Sequence, residues 1–159
     1  MNPKGNTRIK KIRQILKASY PDVKTQLHHN NAFQLLMATI LSAQCTDRQV
    51  NSVTPKLFAK LQSPEDFAKA PIKQIETLIH STGFYHNKAK NLKNCAKTLI
   101  ELYNGEVPNT LEELVKLPGV GRKTANVVLG AVFKIPGMVV DTHVSRISQR
   151  LGLTTAKNP

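Results

Sequence analysis

The chain has 159 residues, and its 23 lysines and arginines outnumber 10 acidic residues, which gives a formal net charge of +13. This length suffices for one full hydrophobic core and part of a second. The charge indicates a polyanionic partner, because each neutralised phosphate releases counterions. No apolar run approaches the ~20 residues that cross a bilayer, and the basic N-terminal residues do not resemble a signal peptide. A cytoplasmic protein is therefore expected.

Proline, glycine, asparagine and serine residues divide the chain into predicted helices, and no alternating apolar pattern of strand length is present. The predicted helices span residues 8–19, 31–43, 46–61, 64–69, 72–80, 86–103, 110–117, 122–133 and 141–151. The predicted fold class is therefore all-α. In the first helix four apolar residues share one face and are expected to pack inward: Ile9, Ile12, Ile15 and Leu16.

The two cysteines, Cys45 and Cys95, are predicted to be reduced, small core residues. Two thiols cannot supply the four ligands of an iron–sulfur cluster. His143 also lacks the clustered partners that a zinc site requires. No metal ion or other cofactor is therefore expected in this chain.

A glycine-rich stretch, LPGVGRKTA, lies between two predicted helices at Leu117–Ala125. It lacks the spacing of a P-loop, and Thr124 stands where a dinucleotide-binding pattern needs its third glycine. Gly119 and Gly121 permit positive φ angles and leave their amides bare, next to a helix N-terminus where anions bind. Two interpretations remain: a tight corner between two helices, or a backbone clamp for a nucleic-acid phosphate.

Asp141 follows an apolar stretch and precedes a predicted helix, in the segment MVVDTHVSR. Taken alone, a carboxylate at this position is most often a structural helix N-cap. A short KIPG link joins this helix to the one that begins near Lys123. The starting ends of the two helices can therefore meet, which makes Asp141 a candidate partner of the Lys123 amine.

Four blocks of the sequence resemble endonuclease III, a family of bifunctional DNA glycosylases in the helix-hairpin-helix superfamily. They occur in the family's order and are ILSAQCTD (Ile40–Asp47), TGFYHNKAKNL (Thr82–Leu92), NGEVPNTLEELVKLPGVGRKTANVVL (Asn104–Leu129) and VDTHVSRISQRLGL (Val140–Leu153). The resemblance covers essentially the whole chain. It implies a six-helix barrel at residues 25–135, with the helix-hairpin-helix at 110–133, and an incomplete second helical domain formed by residues 1–24 and 136–159.

The resemblance implies that Lys123 is the catalytic nucleophile and that Asp141 is its proton partner and charge stabiliser. An amine can attack C1′ of an extruded nucleotide and form a Schiff base, which acidifies the C2′ proton and permits β-elimination of the 3′ phosphate. Because a lysine has an ordinary pKa of about 10.4, such a site has to disfavour the charged amine. Asp141 can take and return the proton.

The resemblance also implies a set of DNA-binding residues: Gln44, Phe84, Lys88, Gly119, Val120, Gly121 and Arg122. Amides of the hairpin would hold a DNA phosphate. Gln44 would fill the space left by the flipped nucleotide, and Phe84 would separate the strands. Without the resemblance, Gln44 could as well be a solvent-facing residue at the end of a helix, and Phe84 could as well be a core residue. Asp47 is expected to cap a helix and to line the pocket.

The activity that the resemblance implies is base excision repair: removal of oxidised pyrimidines from double-stranded DNA and cleavage at the resulting abasic site. We expect a monomer that works at the nucleoid of a bacterial cell. Family members continue beyond the point where this sequence stops, at TTAKNP, and close with four cysteines that hold a 4Fe-4S cluster. A cluster is expected only if that region is present.

The same sequence has three alternative interpretations. A truncated remnant would bind DNA through its hairpin without catalysis and would expose an apolar seam. A helical DNA-architecture protein would use its basic faces and need no Lys–Asp pair. The branch of glycosylases that removes adenine opposite oxidised guanine is disfavoured, because Lys123 is present and the segment FQLLMATILSAQ contains no glutamate.

Overall fold

The computed structural model describes the backbone of residues 3–156 and the side chains of residues 7–156. In this part of the chain every regular element is helical, so the all-α prediction is confirmed. The helices are α1 (Pro3–Ser19), α2 (Ala32–Leu41), α3 (Asp47–Lys60), α4 (Pro64–Lys69), α5 (Ile72–Ile79), α6 (Tyr85–Tyr103), α7 (Leu111–Leu114), α8 (Arg122–Ala131) and α9 (Thr142–Arg150), with a 3₁₀ turn at His80–Thr82. None of the described helices is long and apolar enough to cross a membrane.

Most helix boundaries fall within two residues of the sequence prediction. α7 ends at Leu114, three residues before the predicted end at Leu117, where Pro118 disfavours the helical conformation. The Leu117 amide instead donates to the Leu114 carbonyl (3.1 Å) in a tighter turn. α1 begins at Pro3, earlier than predicted, and proline is favoured in the first turn of a helix.

The larger of two compact units comprises residues Thr25–Val139. Its centre is α2, an almost wholly apolar helix that packs against α3, α6 and α8. The fully buried side chains of α2 include Leu35, Leu36, Met37, Ala38 and Leu41. α4 packs against α6, and its Phe67 meets Phe33 edge-to-face with ring centroids 5.4 Å apart. Burial of these apolar side chains supplies the main driving force for folding of this unit.

The two helices of the hairpin are anchored to this core. α7 packs against α8, and α8 packs against α2. The buried residues of α8 are Ala125, Val128 and Leu129, which share one helix face, while Arg122 and Lys123 at its start are exposed. The hairpin is thus a rigidly supported turn that presents the N-terminus of α8 to solvent.

The smaller unit contains the described residues before Thr25 and after Val139, with α1 and α9. The Arg8 guanidinium donates to the Leu151 carbonyl and joins the two segments. The prediction that the apolar residues of α1 pack inward is wrong for Ile9, Ile15 and Leu16, each of which is more than half exposed. The reason is that α9 buries none of its own residues and therefore offers α1 no hydrophobic core.

Candidate functional site

The hairpin between α7 and α8 is fixed by one close approach and one internal hydrogen bond. Gly119 has a φ of +79°, and a Cβ there would lie 2.9 Å from the Cβ of Asn91 on α6, so only glycine fits. The Val120 amide donates to the Leu117 carbonyl (3.1 Å), and the Val120 side chain is buried. The turn itself therefore uses the Val120 amide, and of the two glycines that permit a positive φ only Gly119 adopts one, since Gly121 has a φ of −94°.

The N-terminus of α8 is the end of this hairpin that is suited to bind an anion. Gly121 is the N-cap and contributes no side-chain acceptor, so no side chain caps the amides of the first helical turn. A Cβ added at Gly121 would meet open space. Arg122 and Lys123 are both exposed beside these amides. A phosphate can therefore approach the backbone closely between two positive charges.

Lys123 lines a cleft of about 310 Å³ within the larger unit. Other residues around the cleft are Thr39, Ser42, Gln44, Asp47, Thr124 and Val127. Asp47 lines the cleft as expected, but it is the first residue of α3 and not its cap. The cap is Thr46, whose hydroxyl accepts a hydrogen bond from the Gln49 amide (3.2 Å). An amine, a carboxylate and a carboxamide thus surround one cleft.

Gln44 and Phe84 both occupy the left-handed region of backbone space, which glutamine and phenylalanine rarely adopt. Their φ angles are 51° and 49°. Gln44 is exposed in the turn after α2, and Phe84 is 67% exposed just before α6. Phe84 is therefore not a core residue. Backbone strain of this kind costs about 1–3 kcal/mol per residue and is concentrated at functional sites. The fold holds both side chains out to solvent at that cost.

Lys88, which the resemblance names as a DNA-binding residue, is buried. Only 4% of the residue is exposed, and its Nζ donates to the Thr82 carbonyl (2.8 Å). The ammonium is thus held by the turn before α6, and its contact with DNA stays a prediction. A periodicity in the sequence points to this position: Lys88 precedes Leu92, Cys95 and Leu99 at helical spacing, and these three side chains are fully buried.

Asp141 belongs to the smaller unit and is the N-cap of α9. Its carboxylate accepts a hydrogen bond from the Val144 amide (2.8 Å), as expected for a carboxylate directly before a helix. On the same helix the Arg146 guanidinium lies 3.2 Å from Nδ1 of His143. The role of Asp141 as proton partner of Lys123 stays a prediction.

The two cysteines differ in environment. Cys95 is fully buried, and burial raises the pKa of its thiol to about 12. Cys45 is only partly buried, in the turn beside Gln44, and packs against the edge of the core. Within residues 7–156 no three His, Cys, Asp or Glu side chains cluster as a metal site would need. Two cysteines in the whole sequence also do not fit the four-thiolate ligand set of a 4Fe-4S cluster.

A helix-hairpin-helix with a lysine at the mouth of a cleft is the arrangement of a DNA repair protein. Residues 37–159 match the family described as HhH-GPD superfamily base excision DNA repair protein, and the chain belongs to this family. It is 53% identical to endonuclease III of Synechocystis sp., over 96% of this chain and 70% of that protein. It is 51% identical to endonuclease III of Bacillus subtilis, over 87% of this chain and 64% of that protein. The chain thus spans about two thirds of the length of these relatives.

Solved structures give the same result. A non-covalent endonuclease III–DNA complex is 46% identical and matches 100% of this chain and 73% of that chain, with a TM-score of 0.91. A trapped covalent endonuclease III–DNA intermediate matches with the same identity and TM-score over 74% of that chain. A thermostable thymine-DNA glycosylase is 26% identical over 92% of this chain and 69% of that chain, with a TM-score of 0.81. The predicted helix-hairpin-helix fold and the predicted base excision repair family are confirmed.

Proposed function

We propose that this chain is a DNA glycosylase with abasic-site lyase activity, which acts as a monomer on oxidised pyrimidines in double-stranded DNA. One observation carries the proposal: the exposed Lys123 lines a cleft directly behind a hairpin suited to hold a phosphate. The trapped covalent DNA intermediate of a 46% identical endonuclease III supports covalent chemistry with DNA. The net charge of +13 supports a nucleic-acid partner. Bacterial relatives support action at the nucleoid in the cytoplasm.

Binding of the damaged strand begins at the hairpin. The first-turn amides of α8 hold a backbone phosphate 3′ or 5′ to the lesion, and the exposed Arg122 adds a charge-assisted contact. Phe84 inserts between base pairs, and Gln44 occupies the space of the extruded nucleotide, which recovers part of the lost stacking and pairing. The extruded sugar then reaches the cleft that Lys123 lines.

The chemistry is nucleophilic substitution followed by elimination. The Lys123 nitrogen bonds to C1′ while the bond from C1′ to the damaged base breaks, and the base leaves with a proton. Opening of the sugar ring gives an iminium between Lys123 and C1′. A carboxylate, Asp141 in this proposal, accepts the acidified C2′ proton, the C3′–O bond breaks, and the 3′ phosphate leaves. Water then hydrolyses the imine and regenerates the amine.

Incubation with a duplex that contains one abasic site, in the presence of a metal chelator, tests the proposal. We expect strand cleavage that leaves an unsaturated aldehyde at the 3′ end of the upstream fragment and a phosphate at the 5′ end of the downstream fragment. A protein that cleaves only with added divalent metal would use a different mechanism, and the proposal would be dropped. An intact duplex without an abasic site serves as the control for contaminating nucleases.

A second candidate function is DNA binding without catalysis. The exposed Ile9, Ile15 and Leu16 of α1 favour it, because apolar side chains that lack a core lower the stability of the unit that carries Asp141. Gel retardation of the abasic duplex without any cleavage, by protein with intact helical circular dichroism, would support this alternative.

A further inference from the structure

Lys88 is a buried ammonium without a nearby counter-charge. Only 4% of the residue is exposed, and no carboxylate lies within ion-pair distance of Lys88 in the part of the chain that the structure describes. Burial lowers the pKa of Lys88, while the neighbouring Cys45 raises it by less. A buried charge that is paired only with a neutral carbonyl is costly, so its position calls for a physical explanation.

The explanation lies in the turn that carries Phe84. The Lys88 ammonium donates to the Thr82 carbonyl (2.8 Å), and the Lys88 backbone amide donates to the Phe84 carbonyl (3.1 Å). A single residue therefore holds the turn on both sides of Gly83, which has a φ of +70°. The Thr82 hydroxyl fixes the start of the turn by donating to the Ile79 carbonyl (2.8 Å).

Loss of the ammonium would free this turn. The Thr82 carbonyl would lose the donor that satisfies it in a buried position, which is unfavourable for a polar group. Gly83 allows the peptide to rotate toward another donor. Phe84 would then relax out of its left-handed conformation, because that conformation is itself strained.

We propose that Lys88 is a positioning residue that holds Phe84 in its exposed, left-handed conformation, and that it is needed to separate the strands of a duplex but not to break the strand. This inference rests on the proposed function. It assigns Lys88 no contact with the sugar, the phosphate or the reacting amine.

The test compares cleavage of one abasic site in a duplex and in a single-stranded oligonucleotide of the same sequence, since the single strand needs no separation. Lys88→Met keeps the length and packing of the side chain but removes the donor. We expect single-turnover cleavage of the duplex to slow by about tenfold or more, because small misplacements of a positioned group have large effects on rate. Cleavage of the single strand should match that of the unmodified chain.

Two controls make the result specific, and a second variant replaces Lys88→Met if that variant does not fold. Lys90→Met removes an exposed lysine two residues away and should leave both rates unchanged. In a Phe84→Ala background, Lys88→Met should cause no further loss on the duplex, since Lys88 acts only through Phe84. If Lys88→Met does not fold, Lys88→Gln carries the same comparison, because its shorter amide does not reach the Thr82 carbonyl without a shift of the turn.

The possible outcomes separate this inference from the proposed function. Equal losses on duplex and single strand, or no loss on either, would overturn the positioning role of Lys88. Additive losses of Lys88→Met and Phe84→Ala would overturn it as well. If the unmodified chain cleaves neither substrate, the proposed function fails instead.

Discussion

Gly119 and Asn91 are so close that a Cβ on the glycine would lie 2.9 Å from the Cβ of the asparagine. This contact seats the hairpin against α6, and the φ of +79° at Gly119 adds a conformational requirement for glycine. Gly121, two residues later, has a φ of −94° and open space where its Cβ would be. The two glycines therefore have different physical roles.

The pair Gly119→Ala and Gly121→Ala separates these roles. Gly119→Ala should lower the free energy of unfolding by about 1–3 kcal/mol, from overpacking and left-handed strain together. Gly121→Ala should change it by less than about 0.5 kcal/mol but weaken DNA binding, because the methyl group keeps a phosphate away from the helix amides. Urea unfolding and fluorescence anisotropy with labelled duplex measure the two effects. Equal behaviour of the two variants would refute the assignment.

Phe84→Ala should impair activity on duplex DNA. It should leave the stability of the fold nearly unchanged, because the ring is 67% exposed and the left-handed backbone of Phe84 is not stabilised by packing of the ring. Gln44→Ala should act in the same direction. Fluorescence of 2-aminopurine placed opposite the abasic site reports strand separation, and thermal melting reports stability. Phe58→Ala, which changes a ring packed against the core, is the contrasting control and should mainly reduce stability. A large drop in melting temperature for Phe84→Ala would mean that the ring packs in the fold.

Asp141→Asn isolates the proposed proton transfer from helix capping. Asparagine caps helices as well as aspartate does, so its side-chain oxygen can still accept from the Val144 amide. We expect near-normal stability with a strongly reduced rate of β-elimination, measured in single-turnover experiments. Asp141→Ala should reduce both the stability of the fold and the rate of β-elimination. An Asp141→Asn variant that cleaves abasic DNA at the normal rate would remove Asp141 from the mechanism.

The two thiols should react with iodoacetamide in a fixed order. Cys95 is fully buried, and burial raises the pKa of its thiol to about 12. Near pH 8 the reagent therefore cannot reach the thiol, and the thiol is not ionised to the reactive thiolate. Native protein should therefore be alkylated only at Cys45, and denatured protein at both positions, as read by peptide mass spectrometry. Early labelling of Cys95 would show that α6 opens readily, contrary to its place in the core.

Much of this fold could be predicted from the sequence because its signals are local. Apolar periodicity predicted the helices, Pro118 marked the end of α7 within three residues, and a carboxylate before a helix predicted the cap at Asp141. The resemblance to endonuclease III singled out Lys123, and the structure puts this lysine at the cleft.

The features that sequence reasoning missed depend on tertiary packing. Gln44 and Phe84 have no intrinsic preference for left-handed backbone, so the surrounding turns impose it. Lys88 stands among other lysines in the sequence, and only its register with Leu92 and Leu99 indicates the buried face of α6. The exposed apolar residues of α1 were predicted to lie in a core because their periodicity places them on one helix face. Periodicity does not indicate which part of the protein covers that face.

Sodium borohydride trapping on abasic duplex DNA tests the central role of Lys123 most directly, because reduction of an iminium between the protein and the sugar leaves a stable covalent bond. The unmodified chain and a Lys97→Gln control, which changes an exposed lysine on α6, should form a covalent DNA complex visible on a denaturing gel. Lys123→Gln should form none while it still retards the duplex. A complex of equal yield with Lys123→Gln would show that another amine performs the reaction and would contradict this account.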